Sequence, residues 1–382
     1  MTAIPSTSSR LAAARAQRIV VKVGSAVLTG GAPTLDRAYL HDLAAQIAGL
    51  TREGRRVIVV SSGAVATGLA PLKMTSRPRD VAGQQAAAAA GQPLLMSLWN
   101  EAFAVRSVSV AQVLLGRGDF DSRERFLNIR NCLSRLLEHG AVPIINENDT
   151  VATDEISLGD NDLLSAKIAA AVQAELLVIL TGVGGVLDSA GNVVSESAGV
   201  EPLLPLVRTE KSAQGRGGMT SKLAAARAAN LSGVSTIIAQ GRPADSFARA
   251  CRGENVGTLI AAPSTCGGSA EARIAGKRVW IGLGVTPTGA ILIDDGAARA
   301  VREKGASLLA RGITGVQGDF EVGDAVHVRQ ASTGRDIARG LSNFSSREAL
   351  KIVGVESSRF EEVLGRQAHE EVVHRDNMVV GE

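Results

Sequence analysis

The chain has 382 residues, of which 45% are hydrophobic and 21% are charged, a composition typical of a folded protein of two or three domains and unlike that of a disordered chain. Its 41 Lys and Arg residues nearly balance its 38 Asp and Glu residues, and the net charge of +3 lacks the strong basic excess of a dedicated nucleic-acid binder. The three cysteines lie far apart, which excludes a disulfide framework and a cysteine-based zinc site, and no apolar run reaches the roughly 18 residues of a membrane span, so a cytoplasmic protein is expected.

Residues 1–17 contain no acidic side chain and several serines, a pattern shared by transit peptides and flexible tails, and a flexible tail is the preferred interpretation. Five short apolar segments follow over residues 18–261 and are typical of strands buried on both faces of a sheet. They are Ile19–Val21, Val57–Val60, Ala141–Ile145, Leu176–Leu180 and Thr236–Ala239. Longer helical stretches separate them, so the order of elements predicts an α/β domain with a mostly parallel sheet sandwiched by helices.

The composition changes after about residue 262. Residues 262–276 are rich in Gly, Ser, Pro and Ala, which predicts a linker. Short apolar runs separated by glycine-containing turns then predict a small β-rich domain over residues 277–364, with one helix near Ala297–Lys304 and a C-terminal tail over residues 365–382. The runs are Val279–Leu283, Ala290–Ile293, Ala325–Val328 and Lys351–Val353.

Polar residues end or follow the first four apolar segments of the large domain. They lie in the segments Lys22–Ser25, Ser61–Ala64, Asn146–Asp149 and Thr181–Gly182. Ligands of open parallel sheets bind beyond the carboxyl ends of the strands, so these segments are expected to share one rim. Taken singly, Lys22 could be a surface lysine and Ser62 part of a simple turn. Asn146–Asp149 favours a binding role more strongly, because polar side chains directly after a buried strand are costly without a partner.

Two further segments open helices. In Gly159–Asp162, the Asp and Asn side chains could serve a ligand or only cap the helix. Gly215–Lys222 combines three glycines and a lysine at a helix start, where backbone N–H groups and the helix dipole attract an anion. This is phosphate-binding chemistry, although the residue order is neither that of a Walker A loop nor that of a dinucleotide fingerprint.

No side chain in these segments is recognisable as an activated Ser, Cys or His nucleophile, and the five histidines show no ligand spacing. A substrate carboxylate, whose pKa lies near 4, is already ionised at pH 7 and needs no general base. The residues therefore predict a site that handles phosphoryl groups, and a kinase acting on a carboxylate would need only in-line positioning and neutralisation of charge.

Seven ordered segments resemble motifs of one known family. They are VVKVGSAVLTGG at 20–31, VIVVSSGAVATG at 57–68, RERFLN at 123–128, VPIINENDTVATDEI at 142–156, GDNDLLSA at 159–166, GRGGMTSKLAAA at 215–226 and VHRDNM at 373–378. Over nearly its whole length the chain resembles the glutamate 5-kinase family, which has the amino acid kinase fold, and residues 277–364 resemble the PUA domain that many members carry. The resemblance implies ATP-dependent phosphorylation of the side-chain carboxylate of L-glutamate to L-glutamyl 5-phosphate, the first step of proline biosynthesis.

The resemblance also implies roles for individual residues. Lys22 and Lys222 would hold and neutralise the phosphates, and Asp162 would keep both lysines charged and in place as the third catalytic residue. The implied glutamate-binding residues are Ser62, Asp149 and Asn161, with Asp149 facing the α-ammonium group. The implied ATP-binding residues are Lys22, Thr181, Gly182, Arg216, Gly217, Gly218, Met219, Thr220, Ser221 and Lys222. Mg²⁺ would accompany ATP as cofactor and take few protein ligands, so no metal ligand is assigned.

One segment departs from the family pattern. Members commonly have Thr-Asp after the fourth apolar strand and Gly-Leu-Tyr a few residues later, whereas here Gly182 replaces the Asp and Leu187 replaces the Tyr. That segment is expected to cradle the nucleotide, so the contacts with adenine and the choice of nucleotide stay open. The residues implied for phosphoryl transfer are kept.

Three other functions fit parts of the sequence. An aspartate, acetylglutamate or nucleoside monophosphate kinase would share the catalytic residues but fits Asn146–Asp149 and the second domain less well. An RNA-binding protein would suit a PUA domain, yet residues 277–382 carry no basic excess, so RNA stays open as a partner. A regulatory amino-acid sensor would not need both lysines. The resemblance further implies feedback inhibition by proline, a homo-oligomer, and a glutamate-5-semialdehyde dehydrogenase as candidate partner for the labile acyl phosphate.

Overall fold

The structure, a computed structural model, describes residues 8–32, 34–120, 123–152, 160–207, 218–262 and 287–380. The chain separates into two units: the first takes in most of the chain up to Thr265, and the second starts at Cys266 and includes the short segment Phe120–Phe126. Each unit has its own sheet and its own buried apolar cluster. All but the first residue of the predicted linker lies outside the described residues.

Eight strands of the described chain form the sheet of the first unit. They are β1 (Arg18–Val23), β2 (Arg56–Ser61), β3 (Val110–Leu115), β4 (Val142–Glu147), β5 (Leu176–Thr181), β6 (Glu196–Ala198), β7 (Ser235–Gln240) and β8 (Thr258–Ala261). Their order is β3-β4-β2-β1-β5-β7-β8-β6, and only the pairing of β7 with β8 is antiparallel. The central strands β1, β2 and β5 each bury five of six residues, which confirms the prediction of a mostly parallel sheet buried on both faces.

Helices alternate with these strands. They are α1 (Ser8–Arg15), α2 (Ser25–Thr29), α3 (Arg37–Arg52), α4 (Ala64–Gly68), α5 (Val81–Ala104), α6 (Arg123–Glu138), α7 (Asp160–Ala171), α8 (Met219–Asn230) and α9 (Ser246–Cys251). Asp36 caps α3 by accepting a hydrogen bond from Tyr39 N at 3.1 Å, and Asp80 caps α5 in the same way. No helix among the residues described is both long enough and apolar enough to cross a membrane.

The N-terminal segment differs from the expectation of a flexible tail. Residues 1–17 were expected to form a flexible tail, but Ser8–Arg15 forms α1 and its Ala13 lies in the buried cluster of the first unit. Arg10 is 2% exposed and donates hydrogen bonds to backbone carbonyl groups. The acceptors are Ser195, Glu254 and Gly257. The carbonyls that order this helix lie far away in sequence, so local composition gave no sign of them.

The described part of the second unit is β-rich, as predicted. Its elements are β9 (Gly289–Ile293), α10 (Asp295–Lys304), β10 (Leu308–Leu309), β11 (Ile313–Gly318), β12 (Ala325–Gln330), β13 (Asp336–Leu341), α11 (Ser346–Lys351), α12 (Phe360–Leu364), β14 (Glu371–Val373) and β15 (Met378–Val380). Five strands form a sheet in the order β11-β9-β12-β13-β15, and β10 pairs with β14. The run Val279–Leu283 lies outside the described residues.

Two expectations for the second unit are wrong. Residues 365–382 were expected to form a tail, but they supply β14 and β15, because Val372, Val373 and Met378 are buried in the core of this unit. The run Lys351–Val353 was expected to be a strand. Instead Lys351 ends α11, which starts from a capping box formed by Ser345 and Glu348.

Candidate active site

The carboxyl ends of β4, β2, β1 and β5 lie side by side, because these strands are neighbours in the sheet and run parallel. The polar segments at these ends therefore share one rim, as the sequence predicted. Lys22 is the second-last residue of β1, and Asn146 is the second-last residue of β4. Most of the residues expected in the site stand at this rim or at the helix starts next to it.

Asp162 lies fully buried in the first turn of α7, between two ammonium groups. Its Oδ1 is 2.6 Å from Lys22 Nζ and its Oδ2 is 3.3 Å from Lys222 Nζ. Ser221 Oγ donates to the same Oδ2 at 2.8 Å. Both lysines are 7% exposed, and a buried ammonium group is costly unless a charge such as the Asp162 carboxylate pairs with it. The three residues expected to be catalytic are thus brought together from β1, α7 and α8.

The charges of this trio shift the pKa values of its members. Burial raises the pKa of Asp162, but attraction to Lys22 and Lys222 and hydrogen bonds with Lys22 and Ser221 outweigh burial, so the pKa stays below its ordinary value. Burial lowers the pKa of Lys222, Asp162 opposes that shift, and the result is a lowered pKa. With Asp162 ionised, two ammonium groups face one carboxylate, and the excess positive charge suits a phosphate group.

The start of α8 provides a second feature suited to an anion. Gly218 caps the helix without a side-chain hydrogen bond, and Met219, Thr220 and Ser221 form its first turn. The first N–H groups of a helix have no partners within the helix, so they attract negatively charged ligands. Of the residues expected to bind ATP, Arg216 and Gly217 lie outside the described residues.

Thr181 and Gly182 stand on the other side of β1, where β5 ends. The Thr181 carbonyl accepts a hydrogen bond from Gly241 N at 2.9 Å, which extends the pairing of β5 with β7 to the rim. A Cβ atom built on Gly182 meets no other atom within 4 Å. The position that departs from the family pattern therefore has room for a longer side chain, and its role in nucleotide binding stays a prediction.

Asn161 precedes Asp162 in the same helical turn but faces different partners. Its Nδ2 donates to Ser62 Oγ and to Asn146 Oδ1, each at 3.0 Å. Asp149, the other residue expected to bind glutamate, is 8% exposed and begins a short 3-10 turn, Asp149–Val151, just after β4. The structure thus joins Asn161 directly to Ser62 and places Asp149 two residues beyond the end of β4.

Two residues that support this side of the site, Gln92 and Trp99, were not predicted from the sequence. Gln92 Oε1 accepts a hydrogen bond from Asn146 Nδ2 at 2.9 Å, and both side chains are buried. Trp99 Nε1 donates to Ser61 Oγ at 3.0 Å, at the end of β2. A glutamine within the Ala- and Leu-rich sequence of α5 was the available signal, because buried polar side chains normally have partners.

The acidic side chains of the rim decide whether the protein itself could hold a divalent cation. Both carboxylate oxygens of Asp162 face ammonium groups, so this side chain is a poor cation ligand. Among the described residues no group of three or more His, Cys, Asp or Glu side chains is arranged to hold a metal ion. The trio offers positive charge, which suits the phosphates that would carry such an ion.

Two family models match the sequence. One, described as the amino acid kinase family, matches residues 17–240, and the other, described as the PUA domain, matches residues 289–364. The first match contains Lys22, Asp162 and Lys222. The second match contains most of the strands of the second unit.

Curated proteins are similar over almost the whole chain. The glutamate 5-kinase of Thermus thermophilus is 43% identical over 373 residues, which is 96% of this chain and 98% of that protein. The glutamate 5-kinase of Teredinibacter turnerae is 41% identical over 379 residues, with 98% and 100% covered. That of Variovorax paradoxus is 44% identical over 382 residues, with 98% and 99% covered.

Proposed function

The chain belongs to the glutamate 5-kinase family, whose larger domain is an amino acid kinase domain, and on that premise we propose that it phosphorylates the side-chain carboxylate of L-glutamate with ATP. The product is L-glutamyl 5-phosphate, and the step begins proline biosynthesis. The observation that carries the proposal is Asp162 held between Lys22 and Lys222, one residue from Asn161 and its contact with Ser62.

In this proposal a glutamate carboxylate oxygen attacks the γ-phosphorus of ATP in line with the leaving oxygen. A bond forms between the carboxylate oxygen and the γ-phosphorus. At the same time the bond from the γ-phosphorus to the β,γ-bridging oxygen breaks, and ADP leaves with the electron pair of that bond. No proton changes place, since the carboxylate is already ionised. The protein therefore needs no general base, in agreement with a site made of ammonium groups, a carboxylate and amides.

Lys22 and Lys222 act on the phosphoryl group in this reaction. Their ammonium groups neutralise the negative charge that spreads over its oxygens during transfer. Asp162 stays ionised at pH 7, because its pKa is lowered, and fixes the position of both lysines. Mg²⁺ would come with the nucleotide as MgATP and would help to neutralise the phosphate charge, with few ligands from the protein.

Ser62, Asn161 and Asp149 take the glutamate side of the site. A hydroxyl, an amide and a carboxylate together offer the donors and acceptors that an amino acid requires, and the Asp149 carboxylate pairs with the α-ammonium group. Thr181, Gly182 and the start of α8 take the nucleotide. Proline has the same α-carboxylate and a ring ammonium but no side-chain carboxylate, so it would occupy the glutamate side without being phosphorylated and act as an inhibitor.

Trapping with hydroxylamine tests the proposal. The purified protein is given MgATP with L-glutamate, L-aspartate or N-acetyl-L-glutamate in parallel, and the hydroxamate formed from the acyl phosphate is measured. We expect hydroxamate with L-glutamate alone and less of it when L-proline is added. A folded protein that yields hydroxamate with aspartate or acetylglutamate instead has a different substrate, and one that yields none is not a kinase for these acids.

A further inference from the structure

Gln92 is a buried polar side chain in the middle of α5, 9% exposed. Its Oε1 accepts a hydrogen bond from Asn146 Nδ2 at 2.9 Å. Nothing in the reaction described above uses Gln92. A buried amide of this kind costs free energy unless its partners satisfy it, so its connection to the site calls for an explanation.

Asn146 links Gln92 to Asn161. Its Oδ1 accepts two hydrogen bonds, one from the backbone N–H of Glu147 at 2.9 Å and one from Asn161 Nδ2 at 3.0 Å. The Glu147 N–H can only donate, so it requires the oxygen of the Asn146 amide on its side. The amide nitrogen of Asn146 must then face the other way, where it donates a hydrogen bond to Gln92 Oε1.

This arrangement fixes the amide of Asn161 as well. Its nitrogen donates to Asn146 Oδ1 and Ser62 Oγ, each at 3.0 Å, and the Ser61 carbonyl oxygen lies 3.5 Å from it, so this end of the amide faces acceptors only. Its Oδ1 is buried and has no hydrogen-bond partner within the described residues. A buried acceptor left in this state suits a donor group that arrives with a ligand, such as the ammonium group of an amino acid.

The backbone around Gln92 keeps it close to this network. A Cβ atom built on Gly91 would lie 1.9 Å from Ala64 O, and one built on Gly68 would lie 1.7 Å from Ala87 O. The backbones of α4 and α5 therefore cross in direct contact. Since α4 starts just after Ser62, this crossing fixes α5, and Gln92 with it, relative to the glutamate side of the site.

We propose that Gln92 is a positioning residue for the amino-acid substrate, which acts through Asn146 to hold the Asn161 amide with its oxygen toward the substrate ammonium group. The proposal rests on the proposed function for the identity of that substrate. It assigns to Gln92 an effect on the binding of glutamate and none on the binding of ATP or on phosphoryl transfer itself.

Two substitutions separate this role from simple packing. Gln92→Met keeps the length of the side chain but removes the acceptor, so the Asn146 and Asn161 amides lose their fixed orientation. Gln92→Glu keeps an acceptor oxygen for Asn146. Gln84→Met is the matched control, because Gln84 is also buried in α5 but bonds to Arg77 and to the Arg79 carbonyl instead.

The measurements are kcat, the KM values for L-glutamate and MgATP, the Kd for L-glutamate without nucleotide, and the Tm of each variant. We expect Gln92→Met to raise the KM and Kd for glutamate about tenfold, the effect of one hydrogen bond to a charged group, with the KM for MgATP and kcat unchanged. Gln92→Glu should stay within about threefold of the unsubstituted protein. Gln84→Met should lower Tm without a selective effect on glutamate.

Equal changes for glutamate and MgATP in Gln92→Met, or a selective loss of glutamate binding in Gln84→Met as well, would overturn the positioning role. A Gln92→Glu variant as impaired as Gln92→Met would also overturn it. If the unsubstituted protein binds L-glutamate but forms no hydroxamate, the proposed function fails while the Kd values still test Gln92. If it does not bind L-glutamate at all, both proposals fail.

Discussion

Replacing Asp162 with Asn removes the carboxylate that separates the ammonium groups of Lys22 and Lys222 while keeping the volume of the side chain. The Asn oxygen can still accept a hydrogen bond from one lysine, but the amide nitrogen then faces the other. Two buried cations would lose the carboxylate that lies between them, since both lysines are 7% exposed and Asp162 is fully buried. The substitution therefore tests charge and leaves packing nearly unchanged.

The expected loss of stability follows from that burial. Removing one partner of a buried ion pair costs about 3–5 kcal/mol, and solvent screens little of it here. For a domain of this size 1 kcal/mol corresponds to about 2–4 °C in Tm, so Asp162→Asn should lower the Tm of the first unit by about 6–20 °C. The kcat should fall at least about a hundredfold, because both lysines lose their fixed position.

The pH dependence gives this prediction a sharper test. Burial raises the pKa of Asp162, the two lysines outweigh that effect, and the folded-state pKa is lowered. Its contribution to stability is therefore complete above the unfolded-state pKa of about 3.9 and is lost as the pH falls further. In thermal unfolding without nucleotide, the gap in Tm between the two proteins should be full at pH 7 and shrink below about pH 4. Equal Tm values at pH 7, or a gap that stays constant down to pH 3, would refute this reasoning.

Further substitutions test individual roles. Lys222→Ala should lower kcat by about 10²–10³-fold and leave the circular dichroism spectrum unchanged, and a kcat within tenfold of the unsubstituted value would contradict its role. Asp149→Ala should raise the KM for glutamate far more than that for ATP, whereas equal rises would remove its assignment to the substrate. Gly182→Asp should keep the stability within about 0.5 kcal/mol, since a Cβ there meets nothing within 4 Å, and should lower the KM for ATP. An unchanged KM for ATP would show that this position does not contact the nucleotide.

Much of the first unit could be predicted because its signals are local. Each of the five apolar segments lies within a strand or overlaps one, and the residues after them meet at one rim because parallel neighbours end on the same side. The strands that sequence reasoning missed lack this signal. In β3, for example, only Leu115 is buried, since the strand lies at the edge of the sheet. Its six residues carry no continuous buried run that would distinguish them from a helix or loop.

The pairings within the site could not be predicted from the residue pattern alone, because they join residues far apart in the chain. Lys22 and Lys222 stand out in the sequence as lysines at special positions, but their association with Asp162 was implied only by the family resemblance, and the fold shows the contacts. Gln92 was missed for the same reason, since its partner Asn146 lies on another element. The burial of Arg10 likewise depends on distant backbone carbonyls, which local composition does not reveal.

The first turn of α7 shows how the two halves of the proposed reaction are joined. Neighbouring side chains of a helix point about 100° apart, so Asn161 and Asp162 cannot face the same partners. Asn161 contacts Ser62 on the side proposed for glutamate. Asp162 contacts Lys22 and Lys222 on the side proposed for phosphate. In the proposed reaction a single helical turn, with a backbone fixed by its own hydrogen bonds, therefore sets the separation between the attacking carboxylate and the phosphoryl group. In a reaction without a general base, where positioning supplies much of the rate, that separation is the quantity the fold has to control.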